Sequence, residues 1–93
     1  MNGLKRLQAA NIQYNIFSVW CDAINNLSDI KNSVLHDDIT PIQAKRKSKC
    51  YLRIALRNYI RLTNFQKSFE CDIELIDIKE TRIKYNKMLE FYL

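Results

Sequence analysis

Residues 39–69 read ITPIQAKRKSKCYLRIALRNYIRLTNFQKSF, a stretch that holds eight basic residues and no acidic residue. Thr40 followed by Pro41 is a helix-start signal, because threonine caps the first free N–H groups and proline fits the first turn. Asn64 is of a residue type that ends helices. The stretch therefore predicts a helix from Pro41 to about Asn64. Its expected apolar face comprises Leu52, Ala55, Leu56, Tyr59, Leu62 and part of Ile60.

Five of these basic residues are spaced four apart and form one row along the predicted helix: Lys45, Lys49, Arg53, Arg57 and Arg61. The row lies almost opposite the expected apolar face. Like charges at this spacing repel one another by a few tenths of a kcal/mol per pair. A row of five therefore indicates that something anionic binds it.

The segment before this stretch predicts one long helix from Gly3 to Leu35. One apolar row follows alternating steps of four and three: Ile16, Trp20, Ala23, Leu27, Ile30 and Val34. A second row lies beside it: Ala10, Tyr14, Phe17, Cys21 and Ile24. Together they cover more of the circumference than a surface helix usually buries. This helix is expected to need cover from two directions, either as the centre of the domain or in an oligomer.

The last third of the chain has two periodicities. Phe69, Cys71, Ile73 and Leu75 alternate with acidic residues, which is typical of a strand. Helical spacing also fits, with Ser68 as the N-cap. We favour a third helix from about Phe69 to Tyr92, and the strand alternative for residues 69–76 stays open. The prediction is an all-α domain of three helices over residues 1–93, with dimerisation through the first helix as a further possibility.

Composition supports this fold class. The chain has 93 residues, a net charge of +5 and an apolar fraction of 47%, which is ordinary for a globular protein. A single glycine and a single proline argue against a turn-rich all-β fold. Three cysteines without a C-x-x-C motif indicate reduced thiols and a cytoplasmic location. No apolar run approaches the ~18 residues of a membrane span.

Candidate chemical sites are few. His36, Asp37 and Asp38 follow the first helix, but a metal site needs three or four converging ligands and this is the only histidine. Cys50 lies beside Lys49, which favours a thiolate, yet no base accompanies it. We find no nucleophile motif and no glycine-rich phosphate loop. We therefore expect no enzyme activity, no metal, no cofactor and no small-molecule substrate.

The basic row admits four interpretations. It could bind an acidic protein, bind nucleic acid with help from Asn58, form a solvated face or contact a membrane surface. For a solvated face, the acidic residues that follow could pair with Arg57 and Arg61 internally: Glu70, Asp72, Glu74, Asp77 and Glu80. The membrane interpretation is the weakest. We favour a small helical regulator, adaptor or chaperone-type subunit that binds an acidic protein or self-associates, with nucleic-acid binding as the alternative.

Overall fold

The computed structural model describes residues 3–68 and 73–93, which form three helices: α1 (Gly3–Leu35), α2 (Pro41–Ser68) and α3 (Ile78–Tyr92). These two ranges contain no strand, so the predicted all-α, three-helix fold is confirmed. The domain measures 54 × 18 × 17 Å. Its length follows from α1, since 33 residues rising 1.5 Å each span about 50 Å.

The chain leaves α1 through a Schellman-type cap. Asp37 takes a positive φ of 60°, a conformation that aspartate tolerates better than most residues. The N–H of Asp38 donates to the carbonyl of Ser33 at 2.8 Å, and the N–H of Asp37 donates to that of Val34 at 3.1 Å. These two bonds satisfy carbonyl groups that the end of a helix leaves free. The predicted end of the first helix is confirmed.

Helix α2 begins with a reciprocal cap. The Thr40 hydroxyl accepts the N–H of Gln43 at 3.2 Å, and the Gln43 side chain accepts the N–H of Thr40 at 2.9 Å. This is the capping box, which satisfies two free donors at once. Thr40 and Pro41 therefore start the helix as predicted.

The predicted end of α2 at Asn64 is wrong, because the helix continues to Ser68. No glycine lies between these two residues to favour a left-handed stop. The Ser68 hydroxyl donates back to the carbonyl of Asn64 at 3.0 Å. Asn64 thus accepts this bond from the last turn and does not end the helix.

The predicted start of α3 at Phe69 is also wrong. Ser68, the expected N-cap, is the last residue of α2, and residues 73–77 are neither helix nor strand. Residues 69–72, the first turn of the predicted helix, lie outside the described residues. The N-cap is Asp77, whose carboxylate accepts the N–H groups of Lys79 at 2.9 Å and Glu80 at 3.2 Å.

Two glutamine side chains hold the segment before α3. Gln13, which is only 4% exposed, donates to the carbonyl of Glu74 at 3.0 Å and accepts the N–H of Ile76 at 3.1 Å. Gln66 of α2 donates to the carbonyl of Ile76 at 2.9 Å and to the Gln13 side chain at 3.0 Å. A segment without regular structure must satisfy its buried backbone groups elsewhere. The glutamines of α1 and α2 provide those partners.

The core forms where all three helices meet. One cluster contains Trp20 and Ala23 of α1, Ala55 of α2 and Tyr85 of α3. A second cluster contains Leu27, Ala44 and Tyr92. The Tyr92 hydroxyl donates to the carbonyl of Leu27, and burial raises the pKa of both tyrosines. The predicted core row of α1 is confirmed, since four of its members are buried: Ile16, Trp20, Ala23 and Leu27.

Candidate functional site

The buried side of α2 fixes which residues face outward. Its buried residues recur at steps of three, four and seven: Ala44, Ser48, Ala55, Asn58 and Leu62. Four of these five are small or polar. The opposite side of the helix is left uncovered by α1 and α3. That side carries the candidate site.

All five residues of the basic row are exposed: Lys45, Lys49, Arg53, Arg57 and Arg61. Arg46 and Lys47 of the KRKSK cluster are exposed as well. Because α2 runs without interruption from Pro41 to Ser68, the five residues stand along one helix as the spacing predicts. The row therefore presents one sign of charge over most of the length of α2.

The cations of the row are not neutralised by the carboxylates that the structure describes. Within residues 3–68 and 73–93, the single ion pair joins Lys84 and Glu80 of α3 at 3.4 Å. Asp77 caps α3. Under the interpretation with internal pairs, five acids could pair with Arg57 and Arg61. Of these, Glu74, Asp77 and Glu80 do not pair with them, and Glu70 and Asp72 lie outside the described residues. The described part of the chain therefore does not neutralise the positive charge of the row.

One arginine of the row is held in place. The Arg61 guanidinium donates to the side-chain oxygen of Asn58 at 3.3 Å, and the Asn58 amide donates to the carbonyl of Ile54 at 2.9 Å. Asn58 is 3% exposed. The expectation that Asn58 would contact a nucleic acid is therefore wrong, because its side chain is buried and already bonded. It orients Arg61 instead.

Two aliphatic residues lie on the basic side. Leu56 is 43% exposed and Ile60 is 48% exposed. They line one shallow depression with Arg53, Arg57 and Arg61. The prediction that Leu56 belongs to the buried face is wrong, whereas the half-exposed Ile60 agrees with its partial assignment to that face. Small or polar residues and Leu62 occupy the core side of α2 instead, and these two aliphatic side chains lie outside.

The other candidate residues have structural roles or no described role. Asp37 and Asp38 form the cap of α1, and the Cys50 thiol donates to the carbonyl of Lys47 at 3.7 Å. Burial raises the pKa of the Cys21 thiol, which disfavours a thiolate there. In the described parts of the chain, no three histidine, cysteine, aspartate or glutamate side chains converge to hold a metal ion.

The chain was compared with known proteins. No protein-family model, curated protein or solved structure matches it. A further test concerns membranes: none of α1, α2 and α3 combines the length and apolar character that crossing a bilayer demands. Any functional conclusion therefore depends on the charge and geometry of the chain itself.

Proposed function

We propose that this chain is a non-enzymatic helical interaction protein that binds an acidic protein partner through the basic row of α2. The observation that carries the proposal is the row itself, with five exposed cations on one helix and no ion pair to any described carboxylate. The matching roles are those of a small regulator, adaptor or chaperone-type subunit. A cytoplasmic location belongs to the same proposal.

Electrostatics explains what such a row contributes. Complementary charge speeds encounter and sets the orientation of two proteins more than it adds affinity. An exposed ion pair contributes only about 0–1 kcal/mol, so the row needs support from other contacts to form a stable complex. Leu56 and Ile60, which lie among the arginines, offer such contacts.

The same aliphatic side chains favour a protein over a nucleic acid. Binding to a phosphate backbone depends on cations and on the release of counterions, which aliphatic side chains do not assist. Protein interfaces combine an apolar centre with arginine. Nucleic-acid binding through the same five residues is the alternative function, and experiment must distinguish it from protein binding.

Self-association through α1 remains part of the proposal. Several apolar side chains of α1 are exposed: Leu4, Leu7, Ile12, Tyr14 and Val19. Single exposed apolar residues are common on any surface, whereas these five within residues 4–19 of one helix support an additional contact. A second copy on α1 would leave the row on α2 free for another partner.

Purification of the protein from its native cells, with and without nuclease, tests the proposal. We expect an acidic protein to remain bound after nuclease treatment and to dissociate as salt rises, because exposed charges are screened over about 8–10 Å at moderate ionic strength. Mass and composition of the eluted species provide the measurement. A complex that nuclease destroys, or a monomer without any bound protein, would contradict the proposal.

A further inference from the structure

We infer that the partner docks an acidic amphipathic helix on the outward stripe of α2 formed by Arg53, Leu56, Arg57, Ile60 and Arg61. This inference rests on the proposed function and adds the chemistry of the partner. The apolar side chains of the partner helix cover Leu56 and Ile60. Its carboxylates pair with the arginines on either side.

The spacing of the stripe is that of a helix-packing face. Its members follow the pattern i, i+3, i+4, i+7 and i+8, by which one helix presents a continuous surface to another. Helix α2 already uses a different face for the core, where Ala55 and Leu62 are fully buried. The stripe is thus a second packing face on the same helix, and residues 3–68 and 73–93 leave it uncovered.

Charge selects an acidic occupant. The three cations of the stripe lie beside two half-exposed aliphatic side chains. A partner helix that matches both features carries aspartate or glutamate beside leucine-like residues, as in helix-in-groove recognition. The hydrogen bond from Arg61 to Asn58 fixes one guanidinium group before the partner binds, which reduces the side-chain conformational entropy lost on binding.

A second copy of this chain does not fit the same stripe. In a twofold contact each copy presents the same patch, so arginine would face arginine across the interface. Residues 39–68 contain no acidic side chain that could neutralise such a contact. Like charges placed opposite one another select against a partner. A symmetric self-contact is therefore disfavoured, and the inference takes a different protein as the occupant.

The test uses two synthetic peptides of about 20 residues, long enough to form a helix. The first combines glutamate with leucine at steps of three and four, and the second has every leucine replaced by glutamine at the same charge. Binding to the intact protein is measured by fluorescence anisotropy. We expect the leucine peptide to bind about tenfold more tightly, since it buries the exposed parts of Leu56 and Ile60.

Two double variants separate the contributions. Leu56→Gln with Ile60→Gln should remove the difference between the peptides, because the apolar surface is gone while the charge remains. Arg53→Gln with Arg57→Gln should weaken the binding of both peptides, because the positive charge of the stripe is reduced. All four residues are exposed, so circular dichroism should show the same helix content in every variant.

Each contrary result has a distinct meaning. Equal affinity for both peptides, together with loss of both in the arginine variant, overturns the inference and leaves the proposed function standing. Failure of both peptides to bind, or binding that the arginine variant does not change, overturns the proposed function. Tighter binding of a single-stranded DNA of similar length than of either peptide also overturns it.

Discussion

Replacing Arg53 and Arg57 together by glutamate is expected to weaken binding of the native acidic partner by at least about 100-fold. Two attractive contacts become repulsive at the centre of the outward stripe. The fold should survive, because both side chains are exposed and make no ion pair with a described carboxylate. Each glutamate would even lie four residues from a remaining cation, Lys49 or Arg61, which stabilises a helix by a few tenths of a kcal/mol.

The matched control variant makes an equal change in net charge on a different helix. Lys79→Glu with Lys87→Glu replaces two exposed cations of α3 and lowers the net charge equally. Affinity measured by titration at one fixed salt concentration should fall little in this control. An equal loss in both double variants would show that only the net charge matters, and the assignment of the site to α2 would be wrong.

Leu62→Ala is expected to lower the free energy of unfolding by about 2–5 kcal/mol, because it opens a cavity at a fully buried position. Domains of this size are stable by only about 5–15 kcal/mol, so the variant should lose a large part of its stability. Urea denaturation followed by circular dichroism measures the change.

Leu56→Ala is the control for that prediction. It removes the same side chain from the same helix, six residues away, at a position that is 43% exposed. The expected loss of stability is below about 1 kcal/mol. If Leu56→Ala proved as destabilising as Leu62→Ala, the side of α2 that we assign to solvent would belong to the core, and the proposed docking surface would lose its apolar part.

Signals close together in sequence predicted the helices most reliably. Thr40 and Pro41 start α2 as expected, since a cap depends on residues within one turn. The long apolar row of α1 gave its bounds and its core, because a periodic pattern over many turns has few competing structures. The exposure of the basic row followed from its charge and from its position almost opposite the expected apolar face.

Apolar residues predicted only part of the buried face of α2: Ala55 and Leu62 are buried, and Leu52 and Tyr59 pack against the core. The core accepts Ser48 and Asn58 because their side chains bond to carbonyls of their own helix, at 3.0 Å to Lys45 and 2.9 Å to Ile54. Residue type alone predicts that large apolar side chains point inward, which is wrong for Leu56. The sequence signal for the buried face is the helical spacing of small and polar residues, four from Ala44 to Ser48 and three from Ala55 to Asn58.

The segment before α3 required tertiary information. The sequence alternates from Phe69 to Leu75 as a strand does, yet Gln13 and Gln66 bond to the backbone of Glu74 and Ile76 in place of a neighbouring strand. Those glutamines are distant in sequence, so no local pattern predicts the contact. The N-cap at Asp77 could be predicted from the sequence, because an aspartate three residues before a glutamate, here Glu80, is typical of the start of a helix.

Arginine labelling of the complex purified from native cells tests the central claim most directly. An arginine-selective dicarbonyl reagent is applied to the complex and to the free protein, and modification is measured residue by residue by mass spectrometry. We predict that Arg53 and Arg57 react much more slowly in the complex, while the exposed Arg82 of α3 reacts equally in both. Unchanged reaction at Arg53 and Arg57, or protection of Arg82 in their place, would contradict the account.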